Sequence, residues 1–333
     1  MIILGKFVEN GIFTVSLDFE LYWGMRDVVS EEGYRSHLEG TPEAVERMLA
    51  LFAKYGIHVT WATVGFLFFD DASELKAHLP EKLPDYEHKQ YDLYDYLLEQ
   101  ETLHTPYHFA PDLIAKIVDT PHQELATHTF SHYYCLESGQ DAESFRVDIA
   151  QACKVAKAKT GTAITSLVFP RNQKNEAYLP ILAENGINAY RGNEKHWIYD
   201  ESNWEERKPL RRALKLVDTY LNISGYHTVP LHKLQCYNGV VDIPASRFLR
   251  PYSRKLAFLD FMKLQRIKKS MTRAAKRGEI YHLWWHPHNF GADVVRNIAF
   301  LEKIAQHYVL LHERYNMQSL HMQEIASRRL SLQ

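Results

Sequence analysis

The chain has few cysteines. Cys135, Cys153 and Cys236 are the three in 333 residues, an odd number at no regular spacing. That argues against a disulfide framework and fits a reducing compartment. An excess of either charge is also missing. The 39 Lys and Arg stand against 41 Asp and Glu, a formal net of −2, so there is no electrostatic case for a nucleic acid or other polyanion as partner. No apolar run approaches the roughly 20 residues that span a bilayer, so no integral membrane segment is expected. Met1–Leu4 before Gly5-Lys6 fall far short of a signal-peptide core, and a cytoplasmic location is expected. Solenoid-period repeats, low-complexity tracts and flexible linkers are absent too. What remains is a chain with 46% hydrophobic residues, long enough for a large core, and we expect a single domain over 1–333.

Short β-rich runs alternate with longer helical patterns, the mark of repeated βα units around a parallel sheet. Seven strands are expected: Gly11–Leu17, Ile57–Val64, Gln123–Thr127, Ser166–Phe169, Ile187–Arg191, Val240–Pro244 and Glu279–Trp285. After the first, Thr41 reads as an N-cap, Pro42 as the first helical residue and Gly56 as the stop. Val45, Met48, Leu49 and Phe52 give that helix one apolar face. Ala177–Asn185, stopped by Gly186, repeats the punctuation. Two stretches, about 70–111 and 194–237, break the rhythm and read as insertions. Closing helices are expected over about 291–327, with Val294, Ile298, Leu301 and Ile304 spaced to pack and close the barrel.

The chemistry sits at strand ends. His128-Thr129-Phe130-Ser131-His132 follows the third strand and brings two imidazoles four positions apart. Ser16-Leu17-Asp18-Phe19-Glu20 ends the first with two carboxylates. Two His and one acidic ligand, with a coordination position open to water, is the layout of a hydrolytic zinc site, and the second carboxylate is left to act as a base. Arg171 follows the fourth strand, Arg191 ends the fifth, and His286 and His288 follow the seventh. In a parallel βα barrel these ends converge on one face, where such enzymes keep their active sites. Each residue alone has a plainer reading. A His-x-x-x-His arises by chance among 18 His, an acidic pair caps a turn, and Arg171 makes a structural ion pair. Cys135 reads as a packed thiol and Tyr86–Tyr96 as loop packing. Their joint order along the chain outweighs those readings.

On these residues the chain resembles the polysaccharide deacetylase superfamily (NodB homology, carbohydrate esterase family 4), from about Ile12 to the end, interrupted by the two insertions. The resemblance implies a distorted (β/α)7 TIM-like barrel of the NodB-homology type. His128–His132 matches the family's His-Ser/Thr-x-x-His in full. The acidic motif departs from its commonest form, because Phe19 separates two acids that are usually adjacent. By analogy Asp18 is the base, and Glu20, His128 and His132 hold Zn²⁺ or another divalent ion such as Co²⁺, Ni²⁺ or Mn²⁺. Exchange of roles between the acids, with Asp18 as a ligand, stays open. Phe169-Pro170-Arg171-Asn172-Gln173 stands where the family has Arg before Pro, and Arg171 is expected to hold the base carboxylate in a bidentate fork. His282–His288 matches the last motif, with His286 as general acid and His288 as its competitor. Trp23, Tyr190, Arg191, Trp285 and His288 are candidates for contacting the sugar. Trp284 and Trp285 alternate faces, so one of them is expected in the core.

The implied activity is hydrolysis of an N-acetyl group on an amino sugar, carried on a nucleotide, a lipid or a soluble saccharide of surface-polysaccharide synthesis. Two alternatives stay open: an allantoinase-like hydrolase of cyclic amides that works without a metal, and a sugar-binding relative without catalysis. A homo-oligomer is compatible with the sequence.

Overall fold

The computed structural model describes residues 9–199 and 209–332. Met1–Lys6, where no signal core was expected, lie outside them. Seven principal strands, Ile12–Phe19, Val59–Thr63, Gln123–Thr127, Ser166–Val168, Ala189–Gly192, Val240–Pro244 and Glu279–Trp285, run parallel to their neighbours. The seventh pairs with the first, and the order then follows the chain to the sixth. All eight residues of the first strand are buried, as befits a strand paired on both sides and covered on both faces.

The ring closes through a bend in the sixth strand. Beyond Pro244 the chain leaves the fifth strand, and Arg247 and Phe248 pair in parallel with Leu283 and Trp284 of the seventh. Backbone bonds mark the handover, from Ala245 N–H to Gly192 O and then from Ser246 N–H to His282 O, each 2.8 Å. The fold is the expected distorted (β/α)7 barrel.

Period-two alternation divides each strand between two environments. On the first, Phe13, Val15, Leu17 and Phe19 join the large core between sheet and helices. Ile12 joins a second apolar cluster with Ala62, Val168, Val241 and Ile280. Met322, Ile325 and Ala326 complete that cluster, so the helix Met322–Leu330 plugs the N-terminal end of the barrel. The helix Val294–Tyr315 was expected to close the barrel; it packs outside instead, against Thr41–Tyr55 and Asp260–Arg277.

Two local expectations change. The first strand runs two residues further, so Asp18 lies inside it and only Glu20 beyond. Thr41 is not a cap but the first residue of its helix, and its hydroxyl donates to His37 O (2.8 Å), satisfying the end of the preceding helix. Gly56 does stop that helix, at φ 60°, where the lack of a Cβ removes the steric cost. The insertion at 70–111 is packed rather than loose, burying Leu75, Tyr86, Leu93, Tyr94 and Leu97. The one at 194–237 carries the helix Pro209–Tyr220. No helix among the described residues is long and apolar enough to cross a membrane.

Candidate active site

Glu20, His128 and His132 are buried together where the first and third strands end. Glu20 Oε2 lies 3.2 Å from His128 Nε2 and 3.0 Å from His132 Nε2. His128 Nδ1–H donates to Val168 O (2.8 Å), which leaves Nε2 as the lone-pair nitrogen facing Glu20. The donor atoms of the three residues fall within 4.8 Å of one another. Two imidazole nitrogens and a carboxylate oxygen converging in this way fit a zinc-type cation. Burial raises the pKa of Glu20, but His286, His128 and His132 more than offset it and hold the carboxyl well below the ordinary range. Burial lowers the pKa of His132 despite Glu20, favouring the neutral, ligating ring.

The local backbone is arranged to bring these groups together. Thr129 and His132 take positive φ, 65° and 57°, which L-residues adopt at a cost of about 1–3 kcal/mol unless the surroundings impose it. The restraint is Asp148, on the helix Ala142–Thr160. Its carboxylate accepts from Phe130 N–H (2.7 Å), Ser131 N–H (3.2 Å), Ser131 Oγ–H (2.5 Å) and Tyr94 O–H (3.0 Å). Burial pushes its pKa up to about 6, although these donors oppose the shift. Gly24 makes room for Glu20, since a Cβ there would stand 2.1 Å from the Glu20 carboxyl carbon. Sequence reasoning missed both residues. Asp148 had a signal, an acid set among Phe145, Ile149 and Ala152 on a buried helix face.

Asp18 is clamped by Arg191, with Nη1 to Oδ1 at 2.6 Å and Nη2 to Oδ2 at 2.7 Å. Burial raises its pKa, but Arg191, helped by His128 and His286, outweighs burial and keeps the carboxyl below its ordinary value. Arg191 also donates to Ser16 Oγ (3.1 Å) and Asn172 Oδ1 (3.0 Å), and lies 4.1 Å over the Trp284 ring. This corrects the expectation for Arg171, whose guanidinium pairs with Asp27 and donates to Gly24 O (2.9 Å). Arg171 sits in a turn after the fourth strand, whereas Arg191 lies within the fifth, on the side of the sheet that faces Asp18. Arg191 therefore holds the acid rather than reaching for sugar.

His286 Nε2 lies 3.7 Å from Asp18 Oδ2 and 3.5 Å from Glu20 Oε1. Asn289 Nδ2 donates to His286 Nδ1 (3.3 Å), and Tyr34 O–H donates to Asn289 Oδ1 (2.8 Å). Neither Tyr34 nor Asn289 was foreseen.

His288 is fully buried, edge-on to Tyr34, and neither ring nitrogen has a hydrogen-bond partner among the described residues. Burial lowers its pKa to about 3. Three aromatic candidates also move into the core. Trp23 is 1% exposed and donates to His108 O (2.7 Å), Tyr190 packs edge-on to Phe169, and Trp285 stacks on Phe290. For Tyr190 and Trp285 the reason is alternation: the side chains that line the site are those of Arg191 and Trp284. Trp284, Phe248 and His286 line a cavity of about 190 Å³. Cys135 is a packed thiol, its pKa raised by burial.

A family model described as polysaccharide deacetylase matches residues 34–190, a span that contains His128–His132 and leaves Asp18, Glu20 and His286 outside. No curated protein matches in sequence. Among solved structures, one described as a polysaccharide deacetylase from Mycobacterium smegmatis is 13% identical, with TM-score 0.62, covering 99% of this chain and 93% of that one. Another so described, from Pseudomonas aeruginosa PAO1, is 12% identical, with TM-score 0.53, covering 96% and 90%. The allantoinase Puue is 14% identical, with TM-score 0.55, covering 96% and 89%. These likenesses show the fold. The class that follows is one of fold, the barrel that these structures share. Over residues 34–190 the chain is similar to the polysaccharide deacetylase family.

Proposed function

We propose that the protein is a metal-dependent carbohydrate deacetylase that hydrolyses the N-acetyl group of an amino sugar to acetate and a free amine. The observation that carries this reading is the convergence of Glu20, His128 and His132 beside a buried Asp18 clamped by Arg191. Those three ligands would hold Zn²⁺, or Co²⁺, Ni²⁺ or Mn²⁺, which when bound supplies Lewis acidity toward the attacking water and the amide oxygen. Asp18 takes the water proton, and Arg191 keeps it ionised and oriented through both oxygens. His286 protonates the departing nitrogen, because an amide nitrogen is too basic to leave as an anion. Nε2 is the ring nitrogen turned toward the acids, since Nδ1 faces Asn289. Trp284 and Phe248 offer an apolar wall for the sugar ring.

The test is elemental analysis of wild type and His128→Ala, paired with acetate release from N-acetylated sugars. About one divalent ion per wild-type chain, lost in the variant together with activity, is the expected result. No ion in either protein after reconstitution, with turnover of a cyclic amide instead, would overturn it in favour of the allantoinase-like reaction.

A further inference from the structure

The cavity beside His286 is cationic. Three basic residues, Lys215, Arg247 and Arg250, line it against one acid, Glu194. Glu194 already accepts from Trp284 Nε1 (3.2 Å). Arg247 shares the buried Asp218 carboxylate with Arg266, at 3.0 and 3.8 Å. That carboxylate also accepts from Tyr199 O–H (2.7 Å), Ser224 Oγ–H (2.7 Å) and the N–H groups of Ile223 and Ser224. Nε and Nη2 of Arg247 are buried without a hydrogen-bond partner among the described residues.

Arg250 is the more telling residue. Its Nε donates to Thr219 Oγ1 (3.0 Å) on the helix Pro209–Tyr220, which fixes the plane of the guanidinium. No carboxylate pairs with it among the described residues, and burial lowers its pKa. A half-buried guanidinium without a counter-ion is unfavourable in the free protein unless an anion completes it. Its fork matches the oxygens of a phosphate, and a neutral polysaccharide would leave it unused.

We infer that the amino sugar carries a phosphate ester, bound at Arg250, while its acetamide faces Asp18 and His286. The inference rests on the deacetylase reading and names its substrate class. The ester is not broken: water adds to the acetyl carbon, the C–N bond cleaves, and the amine leaves with the proton from His286. A free sugar phosphate and a nucleoside-diphosphate sugar share this chemistry.

The experiment compares N-acetylglucosamine, its 1-phosphate and its uridine-diphosphate ester. Each is assayed for binding by calorimetry and for acetate release, on metal-loaded wild type, Arg250→Gln and Arg250→Lys. We expect the phosphorylated sugars to have a KM at least about tenfold below the neutral sugar. Arg250→Gln should raise that KM about 10–100-fold with the neutral sugar unchanged, and Arg250→Lys should recover part of the loss. Preference between the two esters identifies the source of the phosphate. Equal KM for neutral and phosphorylated sugars, or an equal effect of Arg250→Gln on both, overturns the subsite and leaves the deacetylase intact. Binding of the esters that depends on Arg250, without acetate from any sugar, keeps the subsite and sinks the deacetylase.

Discussion

Two clusters of the same chemistry stand at opposite ends of the barrel. At the mouth are Glu20, His128 and His132; at the plugged end are His58, His321 and Glu324. In each, the donor atoms fall within 4.8 Å of one another. The difference lies in what those atoms already do. Glu324 Oε2 accepts from His58 Nδ1 (2.7 Å) and from His321 N–H (2.9 Å), closing a capping box on the helix that plugs the barrel. His321 Nδ1 also sits 3.3 Å from the buried Glu124, which accepts from Thr60 and Ser166. That cluster holds chain segments together. The cluster at the mouth makes no side-chain cap among the described residues: one ring is anchored through Nδ1 and both turn Nε2 onto a single oxygen. Composition alone does not separate a candidate ligand set from a set of caps; the partners already taken do.

The comparison breaks most sharply at Asp18. Asp18→Asn should lower kcat by about 10²–10⁴ while metal content by elemental analysis stays at the wild-type level. A variant that keeps most of its activity removes Asp18 as the base. Next in size, Arg191→Leu strands a buried carboxylate and should cost about 3–5 kcal/mol in denaturant unfolding. The same change at Arg171 should cost less, because Arg171 is 17% exposed and Arg191 fully buried, so water reaches the Asp27 pair more readily.

Asp148 gives a pH signature. Its folded pKa, about 6, lies above the ordinary carboxylate value, so this group's contribution to stability falls as pH rises from about 4 through 6, by on the order of 3 kcal/mol. Asp148→Asn should show a flatter Tm profile across that window. A slope identical to wild type would mean the carboxyl titrates normally.

The smallest effect belongs to the plugged end. Burial opposes protonation of His321, but Glu124 and Glu324 raise its pKa. Its ion pairs are fully present below its unfolded pKa of about 6.5 and fade as pH rises through the higher folded value. His321→Gln should therefore cost about 1 kcal/mol at pH 6 and less at pH 8, with metal content and activity unchanged. Loss of bound metal in that variant would make the two clusters alike.

Much of this was readable along the chain, because strands and their ends announce themselves locally. Apolar runs, Gly56 and Gly186 marked the βα units, and His128–His132 and His282–His288 marked the site. Alternation is readable too: the step that turns Arg191 and Trp284 inward turns Tyr190 and Trp285 outward. Trp23 offered no such rule, since the insertion at 70–111 buries it from a distance in sequence.

By itself, then, the amino-acid sequence determined the seven strands, the residues at their ends and the family resemblance, since each rests on neighbours a few positions apart. Only the tertiary structure decided that Arg191 rather than Arg171 holds Asp18, that Asp148 restrains the His128–His132 turn, and that Arg250 lacks a carboxylate partner among the described residues. Those outcomes depend on which side chains meet across the barrel, 173 residues apart for Arg191 and Asp18, and burial makes each such pairing decisive.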